Sequence, residues 1–90
     1  MDLYGIAVVS KETGIHESSL RRWEEMGLIS PARVDMGKTT VRVYTADEMT
    51  LLGRAKELMD GGYKLRKALE IAELEAEIEA EEEGDFDDHE

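Results

Sequence analysis

Apolar residues recur with helical spacing in four segments of the chain and alternate with polar residues in one. The first helix is predicted over residues 7–13, with Ile6, Val8 and Val9 as its inward positions. Residues 4–6 before it are predicted as a short strand or an extended lead-in. The chain is therefore predicted to be mainly α-helical with a small β-hairpin.

The second helix is predicted over residues 17–26, inside the segment GIHESSLRRWEEMGLI at 14–29. Gly14 can take the left-handed conformation that ends the preceding helix. At about 100° per residue, Leu20 and Trp23 share one side of the new helix. Its other side carries polar residues, namely Ser18, Arg21, Arg22 and Glu25. An apolar back and a front with two arginines and a hydroxyl suit the DNA major groove.

Residues 34–44 alternate in the manner of a half-buried strand around a polar turn that contains glycine. They predict a β-hairpin with Lys38 near its tip and Arg42 on its outward face. Thr45 and the glutamate three residues later form a capping box, which predicts a helix that runs to about Asp60. The inward stripe of this helix is predicted as Met49, Leu52, Ala55, Leu58 and Met59.

A last helix is predicted from residue 64 or 65 to about residue 82, and it carries two apolar stripes. One stripe can pack on the helix before it and consists of Leu65, Ala68, Leu69 and Ala72. The other lies on nearly the opposite side and consists of Ile71, Leu74 and Ile78. In a monomer this second stripe would be left in water, so it predicts a partner surface, most simply a second copy. Residues 84–90 are predicted as a disordered acidic tail.

The net charge of -11 argues against a DNA-binding protein only until its distribution is considered. All 11 Lys and Arg residues lie in residues 1–67, beside 10 acidic residues. Residues 68–90 contain 12 acidic residues and no basic ones. A near-neutral domain is thus followed by an acidic segment, and such asymmetry indicates interaction surfaces.

The absence of Cys excludes a disulfide framework, a thiolate metal site and a cysteine nucleophile. The two His residues are far apart in sequence and there is no glycine-rich phosphate loop, so we expect no enzyme, cofactor or metal site. No apolar run approaches the roughly 20 residues of a membrane span, and no signal-peptide pattern begins the chain. We therefore expect a cytoplasmic protein, nucleoid-associated when bound to DNA, with no membrane partner.

Four short motifs follow one another along the chain: LRRWE at 20–24, GLISPAR at 27–33, RVY at 42–44 and GYKL at 62–65. In sequence and order they are similar to the L-R-x-Y-E, G-L-I-x-P-x-R, R-L-Y and G-F-x-L motifs of the MerR family of winged helix-turn-helix transcription regulators. The resemblance covers residues 4–72. It implies a winged helix-turn-helix followed by a long C-terminal helix.

The resemblance is to a short form of the family without an effector domain. Tyr4, Ile6 and residues 14–16 are closest to its heat-shock repressor branch. Larger members carry ligand-binding domains and metal-binding cysteines, so we expect no effector sensing of their kind here. The predicted domains are a DNA-binding unit over 1–63, a dimerisation helix over 64–83 and the acidic tail.

The resemblance implies that Arg21, Trp23 and Arg42 sit at the DNA surface. Trp23 also suits the core, because it shares a side with Leu20, and both interpretations stay open. Arginine can pair with guanine or clamp phosphate, whereas serine more often contacts phosphate than bases. The candidate DNA-binding residues are Ser18, Ser19, Arg21, Arg22, Trp23, Lys38, Arg42, Tyr44 and Lys64.

These observations predict a sequence-specific transcriptional regulator that binds a palindromic operator in double-stranded DNA as a homodimer, with the 17–26 helix in the major groove. RNA polymerase or a basic protein is a candidate further partner. Two alternatives stay open. One is an excisionase-like or phage-type architectural DNA-binding protein, and the other is an acidic protein-interaction module.

Overall fold

The structure, a computed structural model, describes residues 2–85 and the side chains of residues 2–81. Four helices and a three-stranded antiparallel sheet, with strand order β1-β3-β2, share one core. The elements in chain order are β1 (Leu3–Gly5), α1 (Ile6–Thr13), α2 (Glu17–Glu25), β2 (Ala32–Asp35), β3 (Thr40–Thr45), α3 (Ala46–Asp60) and α4 (Leu65–Asp85).

The turn between α1 and α2 satisfies its own backbone groups. Gly14 adopts a left-handed conformation with φ of 80°, and its N–H donates to the carbonyl of Ser10 at 2.9 Å. The Thr13 hydroxyl donates to the carbonyl of Val9 at 2.7 Å and accepts from the N–H of Ile15 at 3.2 Å. Because these bonds leave the turn little freedom, they fix the direction in which α2 leaves α1.

The helices predicted at 7–13 and 17–26 are confirmed to within one residue at each end. Val9 is buried and Ile6 is half-buried, as predicted. Val8 is exposed, so its predicted inward position is wrong. Adjacent residues on a helix differ in direction by about 100°, so burying Val9 turns Val8 away from the core.

Residues 4–6 were predicted as a short strand or an extended lead-in, and the strand is confirmed as β1. β1 adds to the hairpin by pairing with β3, which sets Tyr4 opposite Tyr44. At the other end of the hairpin, the N–H of Met36 donates to the carbonyl of Thr39 at 2.8 Å. This turn leaves Lys38 exposed at the tip, where it was predicted.

The two faces of the hairpin are reversed relative to the prediction. Tyr44 is 1% exposed and faces the core, whereas Val41 is 42% exposed. Because side chains alternate along a strand, Arg42 lies on the same inner face as Tyr44, so its predicted outward position is wrong. Each of the two faces of β3 carries apolar side chains, so either could have faced the core. The fold buries the face that carries the large aromatic ring of Tyr44.

The capping box at the start of α3 is present as predicted. The Thr45 hydroxyl accepts from the N–H of Glu48 at 3.1 Å, and the Glu48 carboxylate accepts from the N–H of Thr45 at 2.8 Å. The helix ends at Asp60, also as predicted. Its predicted inward stripe faces the core and consists of the buried Leu52 and Ala55 and the half-buried Met49, Leu58 and Met59.

The first predicted stripe of α4 packs on α3, and its buried members are Ala68, Leu69 and Ala72. An ion pair fixes the contact further along. The guanidinium of Arg54 on α3 donates to both carboxylate oxygens of Glu75 on α4, at 2.8 and 3.0 Å. Two of the three residues of the second predicted stripe face solvent: Leu74 and Ile78 are 51% and 52% exposed, whereas Ile71 is half-buried.

α4 continues to Asp85, which corrects the prediction that the helix ends near residue 82. The first two residues of the tail predicted at 84–90 are therefore helical, and residues 86–90 lie outside the described residues. No helix in the described range is long and apolar enough to cross a membrane.

Candidate nucleic-acid interface

α2 turns an apolar side to the core and a polar side to solvent. Leu20 and Trp23 are both buried, which confirms the predicted back of the helix. The opposite side is exposed and consists of Ser18, Arg21, Arg22 and Glu25. The structure thus brings the arginines and one serine hydroxyl together on one outward surface, hereafter the α2 front.

The two serines at the start of α2 are not used to cap it. The N-cap position is occupied by His16, and its side chain makes no capping bond. Ser18 is exposed and Ser19 is half-buried, and within residues 2–81 neither hydroxyl is bonded to another side chain or to the backbone. Both hydroxyls are therefore available to donate to an anion such as a DNA phosphate.

Arg21 is held only weakly by the protein. Its guanidinium donates to the carboxylate of Glu17, one helical turn earlier, at 3.1 Å. Both side chains are largely exposed, and such pairs contribute only about 0–1 kcal/mol to stability. Arg22 has no ion-pair partner among the described residues. Both arginines can therefore exchange water or Glu17 for a nucleic-acid group.

Glu24 joins α2 to both strands of the β2–β3 hairpin, hereafter the wing. Its carboxylate accepts a hydrogen bond from Nη2 of Arg33 on β2 at 3.0 Å, and one from Nε of Arg42 on β3. The hydrogen bond from Arg42, followed by that from Arg33, holds the pKa of the Glu24 carboxyl below its usual range. The wing is therefore oriented against α2 by an ionic contact that was not predicted from the sequence.

Trp23 and Tyr44 are core residues. The core interpretation of Trp23 is confirmed, since its ring is almost wholly buried against the sheet and helices. Burial also raises the pKa of Tyr44. At 1% exposure, its side chain has no surface to offer DNA, which contradicts the prediction that Tyr44 contacts DNA. Its hydroxyl has no hydrogen-bond partner among the described residues.

The two candidate lysines are both exposed but differ in their surroundings. Lys38 lies at the wing tip, where the Asp35 carboxylate accepts from the N–H of Gly37 at 2.8 Å and shapes the turn. Lys64 precedes α4, and in the described part of the chain no ion pair links it to α2 or to the wing. The structure therefore associates Lys38, but not Lys64, with the hairpin next to α2.

Sequence reasoning missed the roles of Glu24 and Arg33. Both residues belong to the motifs at 20–24 and 27–33, but neither was a candidate site residue. The register could have pointed to them, because Arg33 is paired directly with Arg42 across the hairpin. Two like charges opposite each other are unfavourable and call for a nearby carboxylate. Among the described residues, no group of three His, Asp or Glu side chains could hold a metal ion.

Comparison with known proteins agrees with this geometry. Residues 4–75 match the family of MerR helix-turn-helix regulatory proteins. A putative heat shock protein, HspR, of Streptomyces coelicolor is 34% identical over 77 residues, which cover 84% of this chain and 49% of that protein. The HTH-type transcriptional regulator YfmP of Bacillus subtilis is 33% identical over 88 residues, which cover 93% of this chain and 59% of that protein.

The chain thus spans about half the length of HspR and somewhat more of YfmP. The name of the first relative agrees with the heat-shock branch that the N-terminal residues resemble. The match covers both helices of the helix-turn-helix, the wing, α3 and the first half of α4. Residues 4–75 are therefore a helix-turn-helix domain of the DNA-binding, transcription-regulating type, and the chain belongs to the MerR family.

Proposed function

We propose that the protein regulates transcription by binding a palindromic site in duplex DNA as a homodimer. Each subunit lays the α2 front in a major groove and the wing beside it. One observation carries the proposal: the apolar back of α2 is fully used in the core, while Arg21 and Arg22 stay exposed on the front. A helix of this kind presents its side chains to base edges without losing its packing.

The wing supplies phosphate contacts in this arrangement. Lys38 is exposed at its tip, and the wing is tied to α2 through Glu24. Contacts to phosphate fix the register of a protein on the duplex, whereas contacts to base edges select the sequence. Arg21 and Arg22 are therefore the residues proposed to select the site, and Ser18 and Lys38 are proposed to position the protein on it.

The second apolar stripe of α4 (Ile71, Leu74 and Ile78), hereafter the outer stripe, supports the homodimer. Leu74 and Ile78 are about half exposed on a helix whose other apolar side is already packed on α3. The charges along α4 also favour one orientation of a second copy. Arg66 and Lys67 lie near its start, and only acidic charges follow after residue 67. An antiparallel copy sets each end beside opposite charge, whereas a parallel copy sets glutamate beside glutamate.

The test is selection of bound sequences from random duplexes, with the mass of the complex measured on the same sample. We expect enrichment of a two-fold symmetric sequence and a mass equal to two chains on one duplex. Half-sites about one helical turn apart, or a multiple of it, would fit one α2 front in each of two major grooves. Failure to enrich any sequence would reject sequence-specific regulation.

The same experiment separates the two alternatives. An architectural protein would bind duplex with a steep loss of affinity at rising salt but would select little sequence. An acidic interaction module would bind no duplex at any salt, and its α4 would associate with a basic protein instead. Footprinting on promoters of the source genome then decides between regulation and an architectural role.

A further inference from the structure

Arg33 and Arg42 are neighbours that the fold forces together. They are directly opposite each other in the β2–β3 ladder, on the face of the hairpin that meets α2. Two positive charges in this position repel each other. Within residues 2–81, Glu24 is the only carboxylate that forms an ion pair with either arginine, and it pairs with both. The three side chains thus form a small cluster, hereafter the Glu24 seat.

The Glu24 seat is partly open to solvent. The side chain of Arg33 is 46% exposed, whereas those of Arg42 and Glu24 are 21% and 19% exposed. Glu24 follows Arg21 and Arg22 by three and two residues along the same helix. A DNA phosphate that approaches α2 and the wing can therefore reach the guanidinium of Arg33 directly and the exposed part of Arg42 beside it.

A phosphate can take the place of the Glu24 carboxylate as hydrogen-bond acceptor for the two arginines. Both groups offer two oxygens in one plane to a guanidinium fork, and both form charge-assisted hydrogen bonds. The cluster is thus an anion site that the protein fills with its own carboxylate.

We infer that Glu24 is a positioning residue of the DNA surface, which holds Arg33 and Arg42 together in the free protein and yields them to a backbone phosphate when duplex binds. This inference rests on the proposed function. It assigns two opposing effects to Glu24. The carboxylate orders the wing before binding, but it also competes with DNA and so keeps binding to arbitrary sequence weak.

The test compares Glu24→Gln with Glu12→Gln. Each change removes one negative charge, but Glu12 lies on α1, away from the α2 front, is exposed and has no ion pair in the described residues. Affinity for mixed-sequence duplex is measured over a range of salt concentrations for both variants and the unmodified chain. We expect Glu24→Gln to bind about threefold tighter than Glu12→Gln, as the loss of a competing ion pair predicts. In an Arg33→Ala/Arg42→Ala background the difference should vanish.

A second measurement uses the unmodified chain. The Nε–H resonances of Arg33 and Arg42 and the carboxyl carbon of Glu24 are followed by NMR during titration with duplex. We expect the resonances of all three groups to shift together, because the arginines change their acceptor and Glu24 loses its donors. A side chain that merely braces the wing would keep its bonds, and its resonances, in the complex.

The outcomes are separable. If the unmodified chain binds duplex but the two glutamine variants behave alike, or Glu24→Gln binds more weakly, the exchange is wrong and the proposed function stands. Unchanged Glu24 and arginine resonances at saturation with duplex would lead to the same conclusion. If the unmodified chain binds no duplex at any salt, the proposed function fails and the exchange fails with it.

Discussion

α2 and α4 are both amphipathic helices, but only α2 has all its apolar side chains covered by its own chain. Leu20 and Trp23 are buried, and what α2 shows to solvent is polar. α4 buries one apolar stripe on α3 and leaves Leu74 and Ile78 about half exposed. The outward side of α2 is suited to a charged, hydrated ligand, whereas that of α4 is suited to an apolar partner surface.

The two helices are also tied to the domain by different ionic contacts. Glu24 on α2 takes one arginine from each strand of the wing. On α3, Arg54 holds Glu75 near the middle of α4. The first contact lies beside the proposed DNA surface and the second lies on the far helix pair. The difference predicts which substitutions change folding, which change association and which change DNA binding.

The largest expected effect comes from truncating the back of α2. Leu20→Ala removes a fully buried side chain and leaves a cavity, so the free energy of unfolding should fall by about 2–5 kcal/mol. Urea denaturation monitored by circular dichroism measures this loss. In so small a domain it removes much of the total stability.

Leu74→Ala is the matched control for Leu20→Ala, because it deletes the same atoms from the exposed stripe of α4. At low protein concentration its effect on unfolding should stay within about 0.5 kcal/mol. Equal losses from the two truncations would show that the outer stripe of α4 is packed within one chain, and the contrast between the helices would be wrong.

The next effect concerns association. Changing Leu74→Glu and Ile78→Glu together puts charge into the outer stripe of α4 beside glutamates that are already there. We expect the dimer proposed above to dissociate into single chains, because these charges would be buried without partners. Sedimentation equilibrium measures the mass. A double variant that remained dimeric would place the dimer contact elsewhere.

Removal of one of the two arginines on the α2 front should act on DNA binding and leave folding almost unchanged. If Arg21 contacts a base, Arg21→Ala is expected to cost about 1–3 kcal/mol of binding free energy. If it contacts a phosphate instead, the slope of log affinity against log salt concentration should become shallower by about one. Fluorescence anisotropy with duplex at several salt concentrations distinguishes these outcomes. Arg54→Ala is the control, and an equal loss there would indicate a general charge effect.

The smallest expected effect is the response to acid. Arg42 and then Arg33 lower the pKa of Glu24, and Arg54 lowers that of Glu75, from the usual 4.5. A carboxyl with a lowered pKa in the folded state stabilises the fold above that usual value. The contribution is lost as the pH falls through the lowered value. The free energy of unfolding should therefore decrease below pH 4.5.

The acid response can be divided between the two helices by substitution. Glu24→Gln and Glu75→Gln should each make the free energy of unfolding less dependent on pH below 4.5, since each removes one titrating group. Urea titrations at several pH values compare the two variants with the unmodified chain. If both variants kept the full loss of unfolding free energy below pH 4.5, other carboxyl groups would be its cause.

Most of the helical architecture could be predicted, because its determinants are local. Gly14 ends α1, and the capping box at Thr45 begins α3 where the sequence places it. Helical spacing also separated the buried stripe of α4 from the exposed one. The last turn of α4 was missed, since runs of glutamate disfavour a helix locally and the sequence contains no stop before Gly84.

The sheet and the ionic seat could be predicted only in part. Alternation along a strand gives two sets of side chains, but it does not say which set faces the core when both contain apolar residues. Arg42 and Tyr44 were therefore placed on the wrong side, and Tyr44 was taken for a surface residue. The pairing of Glu24 with Arg33 and Arg42 depends on contacts nine and eighteen residues apart.

By itself, the sequence determined the order of the elements, the family, the polar front of α2 and the apolar stripe of α4 that the chain leaves uncovered. These follow from caps, glycines and periodicity, which act within a few residues. Tertiary structure alone decided that β1 joins the hairpin, that Tyr44 lies in the core, and that one carboxylate of α2 holds both wing arginines. The physical reason is that strand pairing and ionic contacts join distant segments, so the face of each strand is fixed only when the segments pack.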